Sequence, residues 1–140
     1  MTALVLYVAD RYLNDELKPK VVEAAKSSLC EGLHMDREDV TVVLEAFHDE
    51  DSNERVAHCF FPVLYTPVGT PYEYKKKAGE LICKRLIATV GEDKIPHCYF
   101  HMKEHDYENL AINGKLFKFS DDGIRHLDKT RGENSMPWLD

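Results

Sequence analysis

The sequence predicts an α+β fold, a two-layer α/β sandwich in which two βαβ units form a four-stranded mixed sheet with two helices on one face. Short apolar runs alternate with longer amphipathic segments, and the order strand–helix–strand occurs twice. Landmark residues recur at nearly the same interval: Pro19 and Pro71 at the helix starts, and Cys30 and Cys83 late in the helices. Right-handed crossovers then place both helices on the same face of the sheet.

The first unit is predicted over residues 3–47. Leu4 to Val8 is short, apolar and β-branched, which is typical of a buried strand. The helix is expected to begin near Leu17 or Lys18, because Pro19 is tolerated only in a first helical turn. Apolar residues then recur at helical spacing, namely Val21, Val22, Ala25, Leu29 and Leu33. The alternating segment from Val40 to Phe47 predicts the second strand.

The second unit is predicted over residues 57–102. Its first strand runs from Ala57 to Tyr65, and Pro96 to Met102 is the fourth strand of the sheet. Between them, Thr70 to Glu73 has the pattern of a helix start, with threonine as N-cap, proline at the first position and glutamate closing a capping box. The predicted buried stripe of this helix is Tyr74, Ala78, Leu81, Ile82 and Leu86.

Composition and charge narrow the class of protein. The formal charge of -7 argues against nucleic acid or an anionic membrane as the main partner. The apolar run after Met1 is too short to span a membrane and lacks the basic flank of a signal peptide. The four cysteines contain no CxxC pair, so reduced thiols and a cytoplasmic location are expected.

The sheet face away from the helices is predicted to be apolar and aromatic. A single chain would expose that surface to water. Association of several copies in a closed ring is therefore expected.

Histidine stands beside cysteine twice, at His58-Cys59 and at His97-Cys98. The pairs could be halves of a metal site, the trace of a repeat, or without function. They occupy different positions in the repeat, because the first opens the third strand and the second opens the fourth. Successive strand residues point to opposite faces, so four ligands would not converge. We therefore predict two neighbouring parallel strands, with no metal and no cofactor.

Several segments together resemble the tautomerase superfamily, in its 5-carboxymethyl-2-hydroxymuconate isomerase and macrophage migration inhibitory factor branches. They are residues 2–47, including Asp10 and Pro19, the stretch from His58 through Ala78-Gly79-Glu80, and the segment Asn109 to Phe117. The resemblance implies a tautomerase-like domain over residues 1–119, with a short final strand at 109–117. Residues 120–140 form a C-terminal extension.

The family's implied mechanism uses a proline exposed by removal of the initiator methionine, whose amine acts as a base in keto–enol interconversion. Here position 2 is Thr2. An α-amine has an ordinary pKa of about 7.7–8.0, and desolvation lowers it. If Met1 is removed, the primary amine of Thr2 could serve as a base or form a Schiff base with a carbonyl compound. Alternatively, Thr2 is only the first residue of a strand.

The resemblance also implies a homotrimer whose pockets lie between subunits. The place of a family arginine that binds a substrate carboxylate matches Thr70, and the nearest bases, Lys75 to Lys77, are expected on a solvated helix face. A small apolar or aromatic carbonyl or enol ligand is therefore favoured. The implied pocket walls and interface residues are Tyr65, Leu110, Ile112, Phe117, His97 and Tyr99.

Each of the two interface residues has two interpretations. His97 and Tyr99 lie two residues apart on one strand face and would reach a neighbouring pocket, His97 as proton carrier or hydrogen-bond donor. Alternatively, they only pack in an interface. The apolar cluster Met136 to Leu139 in the tail is expected to anchor onto the sheet or a neighbour, with partner binding as the alternative. The predicted functions are thus a tautomerase or isomerase, or a non-catalytic trimeric binding or regulatory protein with a degenerate pocket.

Overall fold

The computed structural model describes residues 2–106 and 109–116, which form a mixed sheet covered on one face by helices. The strands are β1 (Thr2–Ala9), β2 (Val40–Phe47), β3 (Cys59–Pro67), β4 (His97–Cys98) and β5 (His101–His105). The helices are α1 (Leu17–Leu33), α2 (Glu54–Ala57) and α3 (Tyr72–Val90). The predicted α+β fold with two βαβ units is confirmed.

The sheet order is β2-β1-β3, with β4 and β5 both beside β3. Pairing inside each unit is parallel, with Thr2 opposite Val40 and Cys59 opposite His97. The two units meet through the antiparallel pair β1–β3, in which Ala3 lies opposite Tyr65. This junction makes the sheet mixed and places β1 and β3 at its centre.

α1 and α3 lie side by side on the sheet, and the core fills the space between the two layers. The even-numbered residues of β1 face the helices and are buried, whereas Ala3, Val5 and Tyr7 face outwards and are half-buried. The core is made of apolar residues from both units, including Leu4, Leu6, Val21, Leu29, Phe60, Leu64, Ile82, Leu86 and Ile95. In the described residues, no helix is both long enough and apolar enough to cross a bilayer.

The predicted fourth strand is two short strands. Its register on β3 is the same before and after the break, because Phe60 lies opposite Cys98 and Val63 opposite His101. The break falls at the level of Pro62, which has no N–H to donate. The Tyr99 N–H donates to the carbonyl of Phe60 at 2.9 Å, so the backbone polar groups of Phe60 face the fourth strand. Pro62, two residues further along β3, faces the same side and has no N–H to offer there.

The structure confirms the predicted start of one main helix and corrects the cap of the other. α1 begins at Leu17, as predicted, and the Leu17 amide donates to Oδ1 of Asn14 at 2.8 Å. The predicted capping box at Thr70 is wrong: α3 begins at Tyr72, and Pro71 occupies the cap position. Thr70 Oγ1 instead donates to the carbonyl oxygen of Pro67 at 2.9 Å, which removes it from the helix end.

The stretch between β2 and β3 is partly helical. It contains α2, whose first turn is capped by Oδ1 of Asn53 accepting from the Val56 amide at 3.2 Å. As a result, the third strand begins at Cys59 rather than Ala57.

The predicted final strand is a small hairpin of β6 (Ala111–Ile112) and β7 (Lys115–Leu116). Asn113 and Gly114 both have positive φ, 52° and 81°, as a two-residue type I′ turn requires. Phe117 and the C-terminal extension, with its Met136 to Leu139 cluster, lie outside the described residues.

The open face of the sheet carries a row of apolar and aromatic side chains, but it is not apolar throughout as predicted, because Thr41, Glu45 and Lys103 also lie on it. Tyr7 packs edge-on against Phe61, with ring centroids 6.3 Å apart, and Phe61 lies 4.8 Å from the ring of His101. Val43 on the edge strand β2 is 49% exposed. In the described chain no element covers this row, which leaves it available to another molecule.

Candidate functional site

Thr2 begins β1 at the centre of the sheet, and its side chain points towards the helix layer together with Leu4 and Leu6. Its relative exposure is 0%, and its Oγ1 atom is buried with no hydrogen-bond partner in the described structure. A buried hydroxyl without a partner costs about 1–3 kcal/mol. Thr2 is therefore a desolvated position that the rest of the fold has to stabilise.

Thr66 and Thr70 lie at the same end of the sheet as Thr2. The register of β1 on β3 puts Thr2 level with Thr66, whose exposure is 1%. The hydroxyl oxygens of Thr66 and Thr70 are 3.2 Å apart. Thr70 thus has neither the charge for a carboxylate nor a free hydroxyl, because its proton is donated to the Pro67 carbonyl.

The basic residues nearest this end contact other side chains of the same chain. Lys75 on α3, predicted to be solvated, donates to Oε1 of Glu104 on β5 at 2.5 Å. On the opposite face, Lys103 Nζ lies 5.9 Å from the ring centre of Tyr65, a cation–π distance. Tyr65 is 37% exposed on the open face, next to Ala3 in the register.

His97 and Tyr99 lie at the other end of the sheet. Together with His58, Arg55 and Lys94 they line an open groove of about 700 Å³, completed by Glu54, Asp93 and Pro96. Tyr99 is 38% exposed. The histidines of the two HC pairs therefore line one groove. Cys59 and His97 lie opposite each other on neighbouring parallel strands, as predicted, whereas His58 ends α2 and precedes β3.

The structure separates the two candidate catalytic residues within one chain. Thr2 is level with Thr66, whereas His97 is opposite Cys59, at the beginning of the same strand β3. Seven residues of strand correspond to about 23 Å at roughly 3.3 Å per residue. Thr2 and His97 can therefore meet only if they come from different copies of the chain.

The last three pocket residues belong to the end of the described chain. Leu110 is half-buried and directly precedes the hairpin. Ile112 is in β6, and Phe117 lies outside the described residues. Tyr65 lies at the Thr2 end of the strands, and the chain reaches Leu110 from the end of β5, where His105 is opposite Pro67 at the same end.

No family model matches the sequence, and no curated protein matches it either. Solved structures do match. A native fused 4-OT and a fused 4-OT crystallised as a wild-type asymmetric trimer superpose with TM-scores of 0.73 and 0.71, each at 12% identity over 81% of this chain and 94% of theirs. A member of the cis-3-chloroacrylic acid dehalogenase family gives 0.71 at 13% identity, over 98% of this chain and 95% of that one. These are tautomerase-superfamily proteins.

The chain has the tautomerase fold. A mixed sheet with helices, in an α+β arrangement, is what it shares with these structures. In this tautomerase fold, the residue after Met1 is a threonine at the head of a central strand.

The structure also assembles a polar network that sequence reasoning missed. Tyr12 Oη lies 2.7 Å from Nδ1 of His58, and an Arg11 guanidinium nitrogen lies 2.9 Å from the same atom. Arg11 also pairs with Asp49 at 3.1 Å. The signal was present, because Arg11 and Tyr12 directly follow the carboxyl end of a predicted parallel strand, where polar side chains gather.

Metal ligands do not gather anywhere in the part of the chain that is described. No group of three His, Cys, Asp or Glu side chains there is arranged to hold an ion. In the second HC pair the side chains diverge: His97 faces the groove, and Cys98 packs under α3.

Proposed function

We propose that this protein is a keto–enol tautomerase or isomerase whose base is the α-amine of Thr2, freed by removal of Met1. The base takes a proton from one atom of an enol or keto substrate and returns it at another. The substrate class is a small apolar or aromatic carbonyl compound in equilibrium with its enol.

The complete burial of Thr2 carries this proposal. Desolvation disfavours an ammonium ion, so an amine at this position is expected to be neutral near pH 7 and able to accept a proton. Its closest strand neighbours, Val40 and Thr66, carry no charge to stabilise the protonated form.

The proposed site is formed between copies of the chain. A homotrimer supplies Tyr65 and Thr2 from one subunit and His97 and Tyr99 from the next, since one chain keeps these pairs at opposite ends of β3. The uncovered open face around Phe61 and Val43 supplies the interface. A similar fused 4-OT crystallised as a trimer, which supports the same assembly here.

The ligand class follows from what the Thr2 end contains. Thr70 offers no charge, and Lys75 is paired with Glu104. The aromatic ring of Tyr65 and the apolar residue Leu110 are proposed walls. An apolar or aromatic carbonyl compound fits these groups better than a dicarboxylate does. Free thiols support a cytoplasmic setting.

The test compares two proteins that differ only before Thr2. One is released from a fusion by a protease that cuts directly before Thr2, and the other keeps one extra glycine there. Phenylpyruvate tautomerisation is measured for both, with the N-terminus checked by mass spectrometry. We expect the free Thr2 amine to be active and the extended chain to lose at least about tenfold, a loss of about 1.4 kcal/mol in transition-state stabilisation. Equal rates would rule out the amine as base.

The second candidate is a non-catalytic trimeric binding or regulatory protein. The observation that favours it is the state of Thr70. At the position where a cationic side chain would bind a substrate carboxylate, Thr70 has a neutral hydroxyl that is hydrogen-bonded to Thr66 and Pro67. Under this alternative, Thr2→Pro creates turnover in an otherwise inactive protein, because the scaffold remains and only the base is missing. Turnover by the free Thr2 protein contradicts it.

A further inference from the structure

Two cysteines from different elements lie in contact under the helix layer. The Sγ atoms of Cys83 on α3 and Cys98 on β4 are 2.8 Å apart, and both thiols are free. A disulfide bond is about 2.05 Å long, so closing one here requires less than an ångström of movement. Cys59, by contrast, is buried and donates its S–H to the carbonyl of Arg55 at 2.8 Å.

We propose that Cys83 and Cys98 are a reversible oxidation site, at which a hydroperoxide converts the two thiols into a disulfide that ties β4 to α3. The proposal does not depend on the proposed tautomerase activity, because neither sulfur lies among the residues assigned to that site.

The two thiols are inequivalent, which sets the order of events. Hydrogen bonding from Cys98 lowers the pKa of Cys83, and this effect outweighs the opposing effect of burial. The same contact, together with burial, raises the pKa of Cys98. Because the thiolate is the nucleophile, Cys83 is the sulfur that attacks. Both side chains are only partly buried, so a small peroxide can reach them.

The chemistry balances with a peroxide as the only oxidant. The Cys83 thiolate attacks the terminal peroxide oxygen, the O–O bond breaks, and a sulfenic acid and an alkoxide form, with hydroxide in place of the alkoxide for hydrogen peroxide; this leaving group takes up the proton that Cys83 had released. The Cys98 sulfur then attacks the sulfenic sulfur, the S–O bond breaks, and water leaves with the Cys98 proton. Two thiols are oxidised by two electrons, and one hydroperoxide is reduced to water and the corresponding alcohol, or to two waters for hydrogen peroxide.

The bond would act on a weakly held strand. β4 has only two paired positions, Cys59 with His97 and Phe60 with Cys98, and the ladder is interrupted at Pro62. Cys98 lies between His97 and Tyr99, which both line the groove. A covalent link from Cys98 to α3 therefore fixes the backbone that presents these two side chains.

The experiment treats the reduced full-length protein with hydrogen peroxide and alkylates the remaining thiols. Peptide mapping without reductant should give one cross-linked peptide, Cys83–Cys98, with Cys30 and Cys59 alkylated. Dithiothreitol should restore four alkylated cysteines. Amide hydrogen exchange across residues 97–100 should slow at least severalfold in the oxidised form.

Two variants of similar character serve as the comparison. Cys83→Ser should abolish the cross-link, whereas Cys30→Ser, at another half-buried cysteine, should leave it intact. If Cys83→Ser does not fold, Cys83→Ala is used in its place. Oxidised wild-type protein in which Cys83 and Cys98 are both still alkylated, or in which the cross-link joins Cys30 residues of separate chains, would overturn the proposal. Unchanged exchange at 97–100 in the cross-linked protein would overturn its effect on the strand.

Discussion

Gly32 of α1 lies directly against Ala78 of α3, so close that a Cβ atom on Gly32 would stand 2.6 Å from the Ala78 amide nitrogen and 2.8 Å from its Cβ. The atoms that such a Cβ would meet belong mainly to the Ala78 backbone, which cannot move away by a change of rotamer as a side chain can. The separation of the two helices is therefore set by the missing side chain at Gly32.

Gly32→Ala is expected to destabilise the protein by about 1–2 kcal/mol. Overpacking costs about 1–3 kcal/mol, and the better helix propensity of alanine returns up to about 1 kcal/mol. Urea unfolding at fixed protein concentration measures the difference. Gly79→Ala is the control, because a Cβ there meets only the ring of Phe100 at 3.2 Å, and the ring can shift. A larger loss for Gly79→Ala would contradict the assignment.

Thr2→Val and Thr66→Val are expected to change stability in opposite directions. The Thr2 hydroxyl is buried without a partner, so replacing it with a methyl group should stabilise the fold by about 1 kcal/mol. Thr66 shares a hydrogen bond with Thr70, and its loss should cost about 1 kcal/mol. Chemical unfolding of both variants measures the two changes in stability. If Thr2→Val were less stable than the wild type, the wild-type Thr2 hydroxyl would have a hydrogen-bond partner in solution.

The Glu31–Arg85 ion pair between α1 and α3 predicts a pH dependence. The hydrogen bond from Arg85, 2.5 Å long, lowers the pKa of Glu31. A lowered folded-state pKa gives stability that is present above the ordinary glutamate pKa and lost as pH falls through the lowered value. Carboxyl NMR titration should therefore find Glu31 below its usual range in the wild type and back in that range in Arg85→Gln.

A second pair supplies the control for that titration. Arg37 binds Glu23 through two hydrogen bonds of 3.0 and 2.7 Å, and this lowers the pKa of Glu23. Arg37→Gln should move the Glu23 titration and leave Glu31 unchanged. If either arginine variant moved both carboxyls together, the shifts would reflect a general change in the fold.

Val43→Asp is expected to dissociate the proposed trimer without unfolding the chain. Val43 is 49% exposed in the single chain, so a carboxylate there is tolerated, but burial in an interface makes it costly. Analytical ultracentrifugation should find trimers for the wild type and smaller species for the variant. Tyr72→Asp, at a 71% exposed position where α3 begins, should stay trimeric. A monomeric wild type would remove the inter-subunit site.

Features set by local pattern were predictable from sequence. The start of α1 beside Asn14 and the alternation along β1 follow from side chains within one turn or one strand. The break in the fourth strand was not predictable in this way, because its cause, Pro62, lies on the neighbouring strand. The capping box failed because Thr70 bonds to Pro67, a competing local contact. The hairpin turn at Asn113-Gly114 has a signal in the sequence, because an Asn-Gly pair favours a turn with two positive φ angles.

The candidate site was predictable only as a set of residues. Thr2 was singled out from its place in the chain, but its burial depends on strand register and on the helix layer. The shared groove of His58 and His97 likewise depends on parallel pairing, which brings residues far apart in sequence to one edge. The pattern of residues along the sequence specifies neither the register between strands nor the distance between the two ends of β3.

The antiparallel contact of β1 with β3 gives the sheet an approximate two-fold axis perpendicular to its plane. The operation carries the Thr2–Val40 end of the first parallel ladder onto the end of the second ladder that holds the pairs Cys59–His97 and Phe60–Cys98. The two ends of the molecule are thus near copies in backbone but differ in covalent chemistry. The proposed base at the Thr2 end is an α-amine. Cys59 and His97 lie in mid-chain, so their backbone nitrogens are peptide nitrogens and cannot act as a base. Acid–base chemistry at this end would therefore have to come from side chains such as His97 and Tyr99.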